Sequence, residues 1–239
     1  MLLISSYEND TRTDKVWYES SNVFYSEFVE DKSENKGDLT VVFKNGAAYK
    51  YKDVLITPDY VMFKHGGLDG SHGRALNTHI KPKYEFEKLE PRSVEVLLQE
   101  KAQCEADRKR EEREKTYFVS GHREITEAQF ERYKAELSRV VEEVNAPKFV
   151  IGDYNGVDIM AQDFLLDVLE VDPGTVTVYH MYDTPRNVNP KVVNLVGGFE
   201  NDEERDAAMT EVSGHDIAFV ADHTKWSGTG QNILRRHIL

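Results

Sequence analysis

The strongest constraint on the fold is a change of hydrophobic period near residue 116. From there onward, short apolar segments alternate with segments of helical periodicity. This alternation predicts parallel strands joined by helices that cover the sheet, because a parallel connection needs a crossover. We expect strands at residues 117–119, 148–151, 175–180 and 216–220, helices at residues 126–144, 157–169 and 202–210, and a last helix opened by residues 228–232.

Residues 1–90 show a different, β-rich pattern. Alternating apolar residues flank Lys44-Asn45-Gly46-Ala47. Since Asn-Gly readily supplies two positive φ angles, we predict a β-hairpin with a type I′ turn. An earlier strand at residues 23–29 is expected to pair with this hairpin. A short helix at residues 59–65 and a glycine-rich loop at residues 65–73 follow.

Residues 91–115 contain helix formers and charges of both signs. Mixed charges favour a solvated connecting helix over an arm that binds nucleic acid. The predicted organisation is therefore a small β-rich (α+β) domain at residues 1–90, a charged helical linker at residues 91–115, and an α/β, Rossmann-like parallel-sheet domain at residues 116–239.

The amino-acid composition argues against some classes of binding partner. The formal net charge of −13 argues against broad nucleic-acid binding and against adhesion to an anionic membrane. The single cysteine, Cys104, has no intrachain disulfide partner, and no apolar run approaches the roughly 20 residues of a membrane span. The first ten residues are too short and too acidic for a signal peptide, so we expect a reducing, cytoplasmic location.

The segments that follow the predicted strands combine glycine with polar side chains. In parallel α/β sheets, ligands bind at this edge. Glycine allows close approach of the backbone, and the fork of Arg123 suits phosphate or carboxylate. The candidate ligand-binding residues are Ser120, Gly121, His122, Arg123, Gly152, Asp153, Tyr154, Gly156, Asp158, Arg186, Asn187, Lys225, Trp226, Ser227, Gly228, Thr229 and Asn232.

Three of these positions have two interpretations. Asp158, at a predicted helix start, either caps the helix or contacts a ligand. Arg186 either completes an anion site or pairs with an exposed acid. The segment at residues 225–232 either presents free N–H groups to a phosphate or is an ordinary cap formed by Ser227 or Thr229.

This set of segments resembles the SLOG superfamily, a Rossmann-like group that includes the LOG phosphoribohydrolases. The resemblance implies a site for a nucleotide or ribose phosphate, with the Gly228-Thr229 turn on a phosphate and Arg123 beside it. It also implies a homo-oligomer. The LOG hydrolases carry a glutamate three residues after the threonine, whereas this chain has Asn232. An amide cannot act as a general acid or base, so hydrolysis of that type is in doubt.

Residues 39–46, 49–51, 70–73 and 77–81 resemble the KTSC domain, for which an RNA or protein interaction is implied. A basic aromatic surface here would consist of Tyr49, Lys50, Tyr51, Lys52, Lys64, Lys81 and Lys83, although strand aromatics are more often packing residues. Three histidines, His65, His72 and His79, are irregularly spaced without a nearby cysteine. We therefore expect no metal site.

The sequence leads to three predictions of function. The leading prediction is a binding protein without a cofactor, which holds a nucleotide or an ADP-ribose-like signal as a sensor, or sequesters it as a phage protein acting against host defence would. The alternative is a nucleotide N-glycosidase with Asp153 or Asp158 as the catalytic carboxylate, and Asp222 and Glu124 in reserve. The third, an RNA-binding adaptor using the KTSC-like half, ranks last because the chain is acidic.

Overall fold

The chain folds into two compact units, residues 1–107 and 108–239. The computed structural model describes residues 1–8, 11–31, 33–219 and 228–238. The first unit contains a six-stranded antiparallel sheet, and the second contains a five-stranded parallel sheet with flanking helices. The predicted fold class, a β-rich domain followed by a Rossmann-like α/β domain, is confirmed.

In the first unit, each strand pairs with the next along the chain. The predicted pairing of residues 23–29 with the hairpin is confirmed by the β3–β4 ladder. The two strands nearest the amino terminus were not predicted, because the first is largely exposed and lacks a regular apolar alternation. The strands are β1 (Leu2–Glu8), β2 (Thr11–Trp17), β3 (Val23–Asp31), β4 (Lys36–Phe43), β5 (Ala48–Leu55) and β6 (Phe86–Leu89).

The predicted type I′ turn of the β4–β5 hairpin is wrong. Gly46 has φ of 83°, but Asn45 does not have a positive φ. The Phe43 N–H donates to the Ala47 carbonyl at 2.9 Å, which closes a three-residue loop. Asn45 Oδ1 accepts the Ala47 N–H at 3.1 Å, so the asparagine side chain satisfies the backbone locally. Only Gly46 occupies the left-handed region, as in a three-residue hairpin with a bulge.

Helical segments cover one face of the first sheet. The helices α1 (Val61–Lys64) and α2 (His72–Ala75) lie within residues 56–80, where Phe63, Leu76 and Ile80 join the core around Leu39. The opposite face packs against α3 (Val94–Glu114) through Leu97. Trp17 Nε1 donates to the Leu97 carbonyl at 3.0 Å, which fixes the start of this helix on the sheet.

The second unit follows the predicted alternation of strands and helices. The helices are α4 (Glu127–Glu143), α5 (Val157–Asp163), α6 (Asp202–Val212) and α7 (Gly228–Ile238). The strands, all parallel, are β7 (Thr116–Ser120), β8 (Lys148–Ile151), β9 (Val176–Met181), β10 (Asn194–Phe199) and β11 (His215–Ala218). The bounds confirm the predicted elements to within a few residues. Strand β10 was missed because its two glycines are typical of a loop.

The strand order β10-β9-β8-β7-β11 places β7 inside the sheet. All five residues of β7 are buried, and α4 packs on the sheet through Phe130, Tyr133 and Leu137. From β7 the chain moves outward to β10 and then returns to the other side of β7. This reversal creates a crevice at the carboxyl ends of β7 and β11. No helix in the described residues is long and apolar enough to cross a bilayer.

Candidate functional site

A cavity of about 560 Å³ opens at the reversal of strand order. We call it the switch-point cavity. It lies where β7 and β8 end and where α5, α6 and α7 contribute side chains. Its lining includes the predicted residues Ser120, Gly121, His122, Arg123, Glu124, Gly152, Tyr154, Asp158, Gly228, Thr229 and Asn232.

Other predicted residues do not line this cavity. Asp153, Gly156, Arg186 and Asn187 are not part of the lining, and Lys225, Trp226, Ser227 and Asp222 fall outside the described residues. Sequence reasoning missed five residues of the lining. These are Phe118, which was assigned only to a strand, and the α6 residues Asp202, Arg205, Asp206 and Met209.

Asp153 anchors two arginines. Its side chain is fully buried and receives a bidentate pair from Arg186, with Nη2 at 2.6 Å and Nε at 3.0 Å. Arg205 Nη1 donates to the same carboxylate at 3.0 Å. Burial opposes ionisation of Asp153, but the hydrogen bonds from Arg186 outweigh it and hold its pKa below the ordinary value. The carboxylate is fully engaged in positioning the arginines.

Tyr154 is clamped between two guanidinium groups. Arg123 Cζ lies 3.8 Å from the ring centroid, and Arg186 Cζ lies 4.3 Å from it. Asp202, at the start of α6, accepts from Arg123 Nη2 at 3.1 Å and from Arg186 Nη2 at 3.3 Å. The side chain of Arg123 remains 61% exposed. Arg123 is therefore fixed in place yet accessible to a ligand.

Asp158 is the most perturbed carboxyl group of the lining. Burial raises its pKa to about 7, and the nearby carboxylates of Asp206 and Asp153 add to this effect. The Tyr154 N–H donates to its Oδ2 at 3.1 Å and acts in the opposite sense. The Asp158 side chain does not cap α5, because the N–H that it accepts belongs to Tyr154 in the segment before the helix. Asp158 lies in the lining of the cavity, and its contact with a ligand stays a prediction.

Asp206 is held by groups from two helices. Arg205 Nη2 donates to its Oδ1 at 2.8 Å, and Asn232 Nδ2 donates to its Oδ2 at 2.8 Å. Arg235 Nη1 in turn donates to Asn232 Oδ1 at 2.8 Å. The Asn232 amide of α7 therefore orients a carboxylate from α6.

Ser120, at the end of β7, has a buried hydroxyl that faces the cavity. Its Oγ is buried and makes no hydrogen bond within the described part of the chain. The Ser120 carbonyl is satisfied by the Tyr133 hydroxyl at 3.1 Å. A buried polar atom without a partner is costly, and a ligand in the cavity would supply one.

The glycines of the site are required by packing within the protein. A Cβ at Gly121 would lie 2.3 Å from Val157 Cγ2, and one at Gly152 would lie 2.3 Å from Asp158 Oδ2. Gly156 has φ of 80°, and a Cβ there would lie 2.4 Å from the His122 carbonyl oxygen. These contacts bring the segments after β7 and β8 together, which explains the glycines without backbone approach to a ligand.

The lining is richer in acids than in bases. Its charged residues are Arg123, Arg205, Glu124, Asp158, Asp202 and Asp206. Carboxylates accept hydrogen bonds from hydroxyl groups, whereas they repel a run of phosphates. Among the described residues, no group of three or more His, Cys, Asp or Glu side chains is arranged to hold a metal ion. The cavity therefore suits a hydroxyl-bearing ligand with few anionic groups.

No protein-family model matches this chain, and a search of curated proteins found no match either. The resemblances to the SLOG superfamily and to the KTSC domain therefore stay predictions. What the site does has to be inferred from its own geometry.

Proposed function

We propose that the switch-point cavity binds a nucleotide or an ADP-ribose-like molecule, as a sensor or a sequestering protein related to the SLOG superfamily. The observation that carries this proposal is the convergence at one cavity of the exposed Arg123 guanidinium, held by Tyr154 and Asp202, and the buried Ser120 hydroxyl, which has no partner among the described residues. The carboxyl ends of parallel strands at such a reversal are the usual nucleotide-binding edge of this architecture.

The lining matches the parts of such a ligand. Arg123 offers a planar donor to a phosphate, as guanidinium groups commonly do. Ser120 and the carboxylates of Asp158 and Asp206 suit ribose hydroxyls. Because acids outnumber bases in the lining, we expect one or two phosphates to be preferred over a triphosphate.

A thermal-shift screen tests this proposal. The full chain is heated with mononucleotides, ADP-ribose, its cyclic isomers, and cyclic di- and trinucleotides. A ligand at about 100 times its Kd stabilises the folded state by ~2.7 kcal/mol, which raises Tm by several degrees. Chromatography of the recovered ligand then distinguishes binding from turnover.

A matched pair of variants assigns the effect to this cavity. Arg123→Gln removes the accessible guanidinium, and we expect it to reduce the thermal shift by more than half. Arg139→Gln, an exposed arginine on α4 that pairs with Glu136 and Glu143, should preserve the shift. If no ligand class raises Tm in the wild-type protein, the proposal is wrong.

A second candidate, N-glycosidic hydrolysis, is favoured by Asp158. A group with a pKa near 7 can donate or accept a proton at neutral pH. Asp206 supplies a second carboxylate in the same lining, and glycoside hydrolysis commonly pairs a protonated carboxyl group with an ionised one. In this mechanism Asp158 would donate a proton to the departing base, and Asp206 would stabilise the positive charge that develops on the ribose.

Base release decides between the two candidates. A ligand recovered intact supports binding alone, whereas a free base with a ribose product supports hydrolysis. For a hydrolase, we expect Asp158→Asn to lower kcat at least about a hundredfold while the thermal shift persists. Turnover that survives in Asp158→Asn would remove Asp158 from the chemistry.

A further inference from the structure

A second concave surface lies in the first unit, on one face of its sheet. It has a volume of about 400 Å³. We call it the aromatic cleft. Its lining consists of Phe43, Tyr49, Tyr51, Phe86, Lys81, Asn22, Asn45 and Ala47.

The aromatic cleft exists because the helical cover of the sheet is incomplete. Strand alternation places Phe43, Tyr49 and Tyr51 on the face that also carries Leu39 and Val41. The segment of residues 56–80 covers the middle of this face. Phe86, on the edge strand β6, stays 59% exposed. An aromatic surface is left open at one end of an otherwise packed face.

The rings of the cleft hold one another in place. The Tyr49 ring lies edge-on to Phe43, with centroids 5.8 Å apart, and edge-on to Phe86, with centroids 5.7 Å apart. Tyr51 is buried beneath them and contacts Phe86 at 5.9 Å. Fixed rings with an exposed face are suited to stack on a flat aromatic group, because little conformational entropy is lost.

The positive charge of Lys81 favours an anionic ligand in the cleft. Lys81 Nζ lies 5.7 Å from the Phe43 ring centroid. No carboxylate in the described residues lies within salt-bridge distance of this amine, and no acid is present in the lining. A cationic ligand would be repelled by Lys81, whereas an anion would supply its partner.

We propose that the aromatic cleft is a second binding site, for a planar aromatic base that carries a phosphate. The base stacks on Phe86 with its edge toward Tyr49, whose ring is inclined by 73° to that of Phe86, and the phosphate pairs with Lys81. The asparagine amides at Asn22 and Asn45 offer hydrogen bonds to the edge of the base. A free mononucleotide and a nucleotide within a single strand present the same chemistry to the cleft.

Nuclear magnetic resonance of the full chain tests the proposal with AMP as the probe. Tyrosine rings are labelled with carbon-13, and the Tyr49 signal is assigned by its loss in Tyr49→Phe. We expect AMP to shift this signal saturably, adenosine to bind several times more weakly, and ribose 5-phosphate to leave it unmoved, since stacking supplies most of the affinity.

Two variants and one control sharpen the test. Phe86→Ala removes an exposed ring, and we expect the Kd for AMP to rise about tenfold. Lys81→Gln should bind AMP and adenosine equally well, because the amine alone distinguishes them. Lys15→Gln changes a lysine on β2 of the same sheet, outside the lining of the cleft, and should bind AMP as the wild-type protein does.

The outcomes separate this site from the switch-point cavity. The Tyr49 shift should be unchanged in Arg123→Gln, so the cleft stands even if the cavity proves to bind nothing. The absence of a saturable Tyr49 shift in the wild-type protein would overturn the proposal. So would a preference for AMP over adenosine that persists in Lys81→Gln.

A last comparison identifies the source of the nucleotide. AMP is replaced by a single-stranded adenine tetranucleotide, which presents the same base and phosphate in a strand. Four equivalent bases alone lower the apparent Kd about fourfold, so a Kd lower than that of AMP by more than about tenfold points to a single strand, and a smaller difference points to the free nucleotide. Either result is compatible with the cleft, since both ligands use the same contacts.

Discussion

A carboxyl group that holds its proton to neutral pH alters the stability of the fold. The pKa of Asp158 rises from its ordinary value of 3.8 to about 7, because the group is buried. Between these values the native state binds more protons than the unfolded state. Its contribution therefore makes the free energy of unfolding fall as the pH rises from about 4 to about 7, and then level off.

We expect Asp158→Asn to remove this contribution, because its neutral amide carries no ionisable proton. Urea unfolding at pH 5, 6, 7 and 8 should show the wild-type protein losing roughly 2–4 kcal/mol more than the variant over this range. Glu142→Gln, an exposed carboxylate of α4, serves as the control and should follow the wild-type profile. Parallel profiles for wild type and Asp158→Asn would contradict the raised pKa.

Asp153 belongs to the opposite case, a buried carboxylate that is fully paired. We expect Asp153→Asn to lower the free energy of unfolding by roughly 2–4 kcal/mol, because two guanidinium groups lose their anion. Glu111→Gln breaks an exposed pair with Lys115 and should leave the free energy of unfolding nearly unchanged. Equal losses for the two variants, measured by urea unfolding at pH 7, would count against the anchoring role of Asp153.

The sequence indicated which residues lie near the cavity only where their order along the chain decides their position. Residues directly after β7 and β8 were expected at the site, and Arg123, Tyr154 and Asp158 line the cavity. Asp202 and Asp206 were missed because they lie in the first two turns of a polar helix, where acids are usually solvated. The one available signal was the density of acids at the start of α6.

At the scale of elements, the segments after β7 and β8 pack so closely that no side chain larger than that of glycine fits at residue 121. We expect Gly121→Ala to destabilise the fold by ~1–3 kcal/mol, because its Cβ would overlap Val157 and the Tyr133 hydroxyl. Gly73→Ala, in α2, meets nothing within 4 Å and should be neutral or slightly stabilising. Thermal and urea unfolding provide the measurement, and a tolerated Gly121→Ala would show that these segments can separate.

Strands and helices with a clear hydrophobic periodicity were predictable from the sequence, and those without one were not. The apolar alternation of β4 and β5 and the buried stripe of α4 are explicit in the sequence. Strand β10 is defined by its ladder with β9 and carries Gly197 and Gly198, so its own residues argue for a loop. The hairpin turn depended on a side-chain hydrogen bond of Asn45 that dipeptide preference does not specify.

On the scale of the whole molecule, the net charge of −13 opposes long polyanions. We expect a single-stranded RNA of about 20 nucleotides to show no micromolar binding at roughly 0.15 M salt, because nonspecific RNA affinity depends on excess basic residues. Fluorescence anisotropy of a labelled strand measures this. Micromolar binding that weakens steeply with salt and survives removal of the residues after Lys115 would instead favour the RNA adaptor.

The fold class as a whole was accessible from the sequence, because the change of period near residue 116 separates the two kinds of sheet. The strand order was not, since the pairing of β11 with β7 leaves no local signal. That pairing determines where the cavity lies. The contact that fixes the position of the site is thus a long-range one.

The interior position of β7 has a consequence for folding kinetics. Tyr117 and His215, neighbours in the β7–β11 ladder, are 98 positions apart in the chain. Contacts of such long range form slowly, because loop-closure entropy is lost before they contribute. A ligand held between β7, α6 and α7 would bind only after this closure, so the onset of ligand binding during refolding would report when β7 and β11 have paired.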